Sequence, residues 1–258
     1  MVYTEREQNI LNILKDTPSV DVKTLTRVLY ASEATVRRDL RKLEQKGLII
    51  RTHGKAVRAS AYADKNVGFD LREHLLSPVK KTLAKAAVDL FVTDGSVVML
   101  DASSTAMCAV EYLAEKKDVI VITSGLKTLE FLSQTDLKFF STGGMAINKS
   151  ASFVGQTAIA TVNCFNADVA IVSCHGLSED GFATDTSIPE NDLRLAMLNR
   201  AKRKVLLMDS SKINNGFWNN LCHISLFDDV ICDQPLPEPL LAAVKHFHLV
   251  TNENTFCP

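Results

Sequence analysis

Several short clusters in this 258-residue chain carry side chains able to hold an anion or to move a proton. Asp101-Ala102-Ser103-Ser104-Thr105 sets a carboxylate just before three hydroxyls at what reads as a helix start, where hydroxyls and free N–H groups bind anions. Thr123-Ser124 adds two more hydroxyls, and Gly143-Gly144 lets backbone approach a ligand because no Cβ intervenes. Asp209-Ser210-Ser211-Lys212 ends on an ammonium group, a compact charge that suits phosphate. This inventory fits a small phosphorylated ligand. Asp101, Glu190, Lys212 and His175 are also the groups an isomerase or deaminase would need, since that chemistry takes a general base and a second proton carrier. Taken singly, each cluster has a plainer reading: a serine at a helix start caps it, a Gly-Gly pair turns the chain, a lysine sits in water. No Walker or G-x-G-x-x-G pattern is present, so neither nucleotide binding nor a cofactor is expected.

A different chemistry belongs to the stretch from Ser32 to Arg51. Ser32 suits an N-cap and Gly47 a helix stop. Between them Val36, Leu40 and Leu43 fall on one narrow face, at about 100° per residue. Ala34, Thr35, Arg37, Arg38 and Arg41 fall elsewhere, so the helix is apolar on one side and basic on the other. Small residues at its start suit entry into a DNA major groove. Asp39 lies at the margin of the buried face, and phosphates would repel it, so it is expected to bond within its own module.

Those residues need elements to position them. Thr4 can cap a first helix through Ile10, Ile13 and Leu14 that ends before Pro18. Asp21 can cap a second through Val22, Leu25, Val28 and Leu29, and Tyr30-Ala31 turns into the Ser32 helix. Two helices joined by so short a turn form a helix-turn-helix. Apolar residues on either side of His53-Gly54 then read as a β-hairpin, a wing whose basic Arg51, His53 and Lys55 could lie along the phosphates or in the minor groove, the plainer reading being a stabilising flap. Beyond residue 76, apolar runs at Val97–Leu100, 119–122, 137–141, 169–172, 204–208 and Asp229–Cys232 alternate with helical patterns, including one expected over 237–247. Such alternation predicts a mostly parallel sheet covered by helices, in which ligands bind beyond the carboxyl ends of the strands. The predicted organisation is a winged helix-turn-helix domain over 1–58, a linker over 59–76 and an α/β sensing and oligomerisation domain over 77–258.

Composition agrees with that division. The net charge of −1 conceals a split, with 12 Lys+Arg against 7 Asp+Glu in residues 1–60 and 17 against 23 in the remainder. A basic quarter on an acidic body is the footprint of a polyanion-binding module attached to something else. No run approaches the roughly 18 apolar residues of a membrane span, and Met1–Glu7 has no signal-peptide pattern. The six cysteines are scattered without C-x-x-C spacing, as free thiols rather than a disulfide frame or a metal site. The expected location is the cytoplasm, with no membrane partner.

Ser-Glu-Ala-Thr-Val-Arg-Arg-Asp-Leu from Ser32, the following Leu43-Glu44, Lys46-Gly47-Leu48 and Arg51-Thr52-His53-Gly54 resemble the signature of the DeoR family of bacterial transcription regulators. Lys55 stands where that pattern has a second glycine. The resemblance continues through Asp101–Thr105, Gly143-Gly144, Gly155, Asp168, Gly176, Gly181, Glu190, Met197 and Asp209–Lys212. It implies a body similar in fold to sugar-phosphate isomerases and CoA transferases that senses phosphorylated sugars or related metabolites. The loop at Thr123-Ser124, where the asparagine of the family's Thr-Asn-Ser is replaced or lost, and the loop around His175 depart from the pattern at places that could set ligand choice. The function expected is that of a DNA-binding regulator, a repressor of a carbohydrate operon. It would be a homo-oligomer whose hold on double-stranded operator DNA a phosphorylated metabolite controls. The alternatives are a sugar-phosphate isomerase or deaminase, and a DNA-binding protein that needs no ligand.

Overall fold

A computed structural model describes residues 4–17, 19–45, 48–52, 55–58, 69–74 and 77–251. Pro18, Gly47, His53, Cys257 and linker positions 59–68 lie outside them. The chain divides into two compact units, Met1–Leu76 and Ser77–Pro258.

The first unit holds helices α1 (Glu5–Asp16), α2 (Val22–Val28) and α3 (Glu33–Gln45) with strands β1 (Val20–Asp21), β2 (Ile49–Thr52) and β3 (Lys55–Arg58). Local chemistry sets the helix starts. Thr4 forms a capping box with Glu7, and the Asp21 side chain accepts from the Thr24 amide. The three strands pair antiparallel in the order β1-β3-β2. Val36, Leu40 and Leu43 of α3 are fully buried with Ile10 and Leu25, so burial of the apolar stripe holds the helix in place. Val28, expected on the buried side of α2, is half exposed. A fourth helix, α4 (Phe69–His74), lies within the stretch expected to be linker.

The second unit begins with α5 (Ser77–Phe91). It continues through β4 (Val97–Leu100), α6 (Ser104–Met107), α7 (Ala109–Leu113), β5 (Ile120–Thr123), α8 (Leu126–Leu132), β6 (Lys138–Ser141), β7 (Met145–Ile147), β8 (Ser152–Val154) and α9 (Gln156–Asn163). Then come β9 (Ala167–Ser173), β10 (Gly176–Leu177), β11 (Phe182–Asp185), α10 (Ile188–Arg200), β12 (Ala201–Met208), β13 (Asn219–His223), β14 (Asp229–Cys232), α11 (Glu238–Leu241) and β15 (His246–Leu249). Seven strands make one parallel sheet in the order β15-β14-β12-β9-β4-β5-β6. Both faces are covered, which is why these strands read as unbroken apolar runs. Side chains alternate between the two cores: Met99, Ala170 and Leu206 pack on one side, Val98, Ile171 and Val205 on the other.

Two features departed from expectation. The helix expected over 237–247 is only the four residues of α11, because the chain re-enters the sheet at His246 as β15. Two antiparallel pieces, the β7-β8 hairpin and the β10-β11-β13 ribbon, also stand apart from the parallel sheet. Their strands are too short for a periodicity to mark them. From β4 the chain winds outward through β5 to β6, then crosses back to β9 on the other side of β4. The strand order therefore reverses between β4 and β9, and a crevice opens at such a point beyond the strand ends.

Candidate nucleic-acid interface and ligand site

In the first unit, Ser32 caps α3 by accepting from the Thr35 amide at 3.3 Å, and the two hydroxyls are 2.9 Å apart. Ala34, Arg37, Arg38 and Arg41 are exposed and Thr35 half-buried. Arg37 is paired with Glu33 one turn earlier, at 2.6 Å. Arg38 and Arg41 make no ion pair with any described residue, so their charge is available to a polyanion. Asp39 is buried and accepts from Arg6 Nε, the bond within the module that its position predicted. On the hairpin, Arg51 donates from Nε to Glu44 at 2.7 Å, which ties β2 back to α3. Lys55 is exposed at the start of β3, opposite Thr52.

In the second unit, residues at the reversal of the sheet assemble around Asp101, which follows β4. Its carboxylate accepts from the Ser103 hydroxyl at 2.6 Å, the Ser173 amide at 3.3 Å and Arg194 Nε at 2.7 Å. Arg194 also donates from Nη1 to Asp185 at 2.6 Å and to Asn191 at 2.9 Å. Burial alone would raise the Asp185 carboxyl, but the Arg194 guanidinium, helped by His175, holds it well below the usual range. His175 Nδ1 lies 2.8 Å from Asp185 Oδ2. Two ammonium groups complete the cluster. Lys212 Nζ donates to the Ser173 hydroxyl at 2.7 Å, and Lys80 Nζ donates to the Ser104 hydroxyl at 3.0 Å. Asp209 is buried, which pushes its carboxyl up, yet Lys212 and Ser211 bring it below the ordinary value.

The remaining sequence-predicted residues divide. Ser103 is a helix cap, accepting from the Ala106 amide while donating to Asp101, so its hydroxyl is already engaged. The helix it caps, α6, has four residues, so its start offers a single turn of amides. Thr105 is buried on α6. Thr123 and Ser124 hold neighbouring loops: the Thr123 carbonyl accepts from Thr142 and the Ser124 carbonyl from Phe153. Gly143 and Gly144 follow β6 with positive φ, and a Cβ at Gly144 would lie 2.5 Å from the Val154 carbonyl oxygen. This second cluster adjoins the first through Gly125, whose Cβ position is 3.2 Å from Ala102 Cα. Glu190 is buried in the first turn of α10, where its charge favours the protonated Arg194.

Comparison with known proteins agrees with both halves of this geometry. Residues 6–61 match the DeoR-like helix-turn-helix domain, and residues 77–234 match the DeoR C-terminal sensor domain. The chain belongs to the DeoR family of transcriptional regulators. It is 31% identical to the HTH-type transcriptional regulator GolR of Listeria innocua, over 81% of this chain and 82% of that one. It is 27% identical to the L-fucose operon activator of Haemophilus influenzae, over 95% and 98%. Among solved structures it is similar to ribose 5-phosphate isomerase A from Methanocaldococcus jannaschii, with TM-score 0.39 and 21% identity over 52% and 53%. No described helix is long and apolar enough to cross a membrane.

In this DeoR-family chain, Lys80, Ser173, Asp185, Asn191 and Arg194 join the cluster without having been expected there from sequence. A signal for two of them was present. Lys80 shares a helical stripe with Leu83, Ala84 and Ala87, and Arg194 shares one with Leu193, Met197 and Leu198. A charge on the buried stripe of a helix needs a buried partner.

Proposed function

We propose that this regulator controls a carbohydrate operon by binding double-stranded operator DNA through α3, and that a phosphorylated sugar or related metabolite bound in the sensor unit changes that hold. The observation that carries the reading is the pair of buried or half-buried ammonium groups, Lys80 on Ser104 and Lys212 on Ser173, at the ends of the strands flanking the reversal of the sheet. Two ammonium groups beside hydroxyls in a crevice at carboxyl strand ends suit a phosphate ester. The L-fucose operon activator's name agrees with a sugar operon as the target. Arg38 and Arg41 supply salt-dependent attraction to phosphates, and the exposed residues at the start of α3 supply base discrimination.

The protein acts by binding rather than turnover, as a homo-oligomer in the cytoplasm, and repression is the sign of control we propose. A ligand alters DNA binding only by binding the two conformations unequally. The test is a gel-shift titration of operator DNA with and without a panel of sugar phosphates, run beside a thermal melt. A specific ligand raises native stability, by about 2.7 kcal/mol at a hundred times its Kd. A melt that no panel member shifts would favour a ligand-independent DNA-binding protein, and product formation from the panel would favour an isomerase.

A further inference from the structure

His175 is the one imidazole in the Asp101–Arg194–Asp185 network, and nothing in the ligand reading above uses it. It follows β9 two residues after Ser173, the acceptor for Lys212, so it stands at the reversal of the sheet. Its position is fixed from three directions. The backbone amide donates to the Thr184 carbonyl at 3.0 Å, and Nδ1 meets Asp185 at 2.8 Å. The ring packs edge-on against Phe217, with centroids 5.8 Å apart. The next residue, Gly176, lies so close to Asn215 that a Cβ would fall 1.6 Å from its carbonyl oxygen. The Asp185 side chain is 1% exposed and that of His175 is 24% exposed, so the imidazole carries the network to accessible surface.

The tautomer follows from the partners. Asp185 is held ionised by Arg194 and can only accept. The hydrogen between the two side chains therefore sits on Nδ1, so an uncharged ring keeps its lone pair on Nε2. Nearby, Nδ2 of Asn191 and of Asn219, the residue paired with Asp185 across β11 and β13, are buried amide donors with no hydrogen-bond partner. Around the network there is thus one oriented acceptor and two unused donors, beside the two ammonium groups. Phosphate oxygens need donors only. An acceptor in the same crevice calls for an O–H.

We infer that His175 Nε2 accepts a hydrogen bond from a hydroxyl group of a polyhydroxylated phosphate ester, and that Asp185 is the positioning residue that fixes the ring for it. This rests on the proposed ligand reading. It makes His175 a residue that distinguishes one sugar phosphate from another, while Lys80 and Lys212 hold the phosphate common to all.

The experiment compares wild type, His175→Phe, His175→Gln and Asp185→Asn by thermal melts. Each is titrated with ribose 5-phosphate, glucose 6-phosphate, fructose 1-phosphate and inorganic phosphate. His175→Phe is expected to weaken the best-bound sugar phosphate tenfold or more while leaving inorganic phosphate within twofold. His175→Gln, whose amide oxygen can take the place of Nε2, recovers part of the loss and covers the case in which the phenylalanine variant does not fold. Nitrogen NMR of the ring shows the Nδ1–H tautomer in wild type and its loss in Asp185→Asn. Equal weakening of the sugar phosphate and inorganic phosphate, or no weakening of either, overturns the inference and leaves the ligand reading standing. Failure of every compound, inorganic phosphate included, to shift the wild-type melt overturns the ligand reading and this inference with it.

Discussion

Lys212 and Ser173 join two neighbouring strand ends: the ammonium that follows β12 donates at 2.7 Å to the hydroxyl that closes β9. The same hydroxyl donates to the Leu207 carbonyl at 2.6 Å, so the group that receives Lys212 is itself fixed to the β12 backbone. Lys212→Ala is expected to weaken binding of the sugar phosphate at least tenfold and to leave operator affinity of the ligand-free protein unchanged. Thermal melts and gel shifts on the same preparations read the two separately. Identical ligand titrations for variant and wild type would remove Lys212 from the site.

Arg38 is exposed on α3 without a described partner, whereas Arg37 is paired with Glu33. Arg38→Ala should weaken operator binding by about tenfold or more and reduce its dependence on salt, as loss of a base or phosphate contact does. Ligand-induced stabilisation of the sensor unit should be unaffected. Operator affinity unchanged across a salt series would show that another face of α3 meets DNA.

Tyr30 turns the chain between α2 and α3 with φ of 49° and is 97% exposed. A side chain in left-handed geometry costs about 1–2 kcal/mol, and this one recovers almost nothing by burial. Tyr30→Gly removes that cost, against about 0.4–1 kcal/mol for the greater freedom of glycine in the unfolded chain. The net expectation is a first unit more stable by up to about 1.5 kcal/mol, measured by urea unfolding followed by circular dichroism. A less stable variant would show that the tyrosine has a compensating contact in solution.

Arg194 is paired with both Asp101 and Asp185, and all three are buried. Arg194→Met strands two carboxylates in the interior and should destabilise the second unit by about 3–5 kcal/mol. Adding Asp101→Asn and Asp185→Asn should recover much of that loss. Urea unfolding of the three proteins, followed by circular dichroism, reads the differences. If the triple variant were no more stable than the single one, unpaired charge would not be the cause.

The depressed Asp185 carboxyl gives acid sensitivity a definite sign. Its folded pKa lies below the ordinary 3.8, so its contribution is fully present above that value and is lost as pH falls below it. Wild type should lose stability as pH falls from about 4 towards about 2, and Asp185→Asn less steeply. Parallel slopes for the two proteins would place the acid sensitivity in other groups.

Legibility in the sequence followed distance along the chain. The stripe of α3, its cap at Ser32 and the caps at Thr4 and Asp21 depend on residues three or four apart, and all were readable. So were the long buried strands, whose apolar runs need no partner to be recognised. The Asp101 cluster was half readable. Asp101, Ser104 and Lys212 stand at strand ends, where topology alone points to ligands. Arg194 reaches Asp101 across 93 positions and Lys80 reaches Ser104 across 24, and no local pattern pairs them. Ser103 was misleading for the opposite reason, since a hydroxyl at a helix start serves the backbone as readily as an anion. The β10-β11-β13 ribbon, which brings Asp185 to the network, has strands of two to five residues and left no periodic trace.

The distance between Asp101 and Arg194 also sets an order of events during synthesis. The core of the first unit draws on residues from Ile10 to Ala56, and the unit ends at Leu76. Arg194 is made 118 residues after that boundary, about 6–24 s later at ribosomal speeds of about 5–20 residues per second. For the last 93 residues of that interval Asp101 exists without the Arg194 guanidinium. A growing chain therefore has every residue of its DNA-reading head before it has the means to hear a signal.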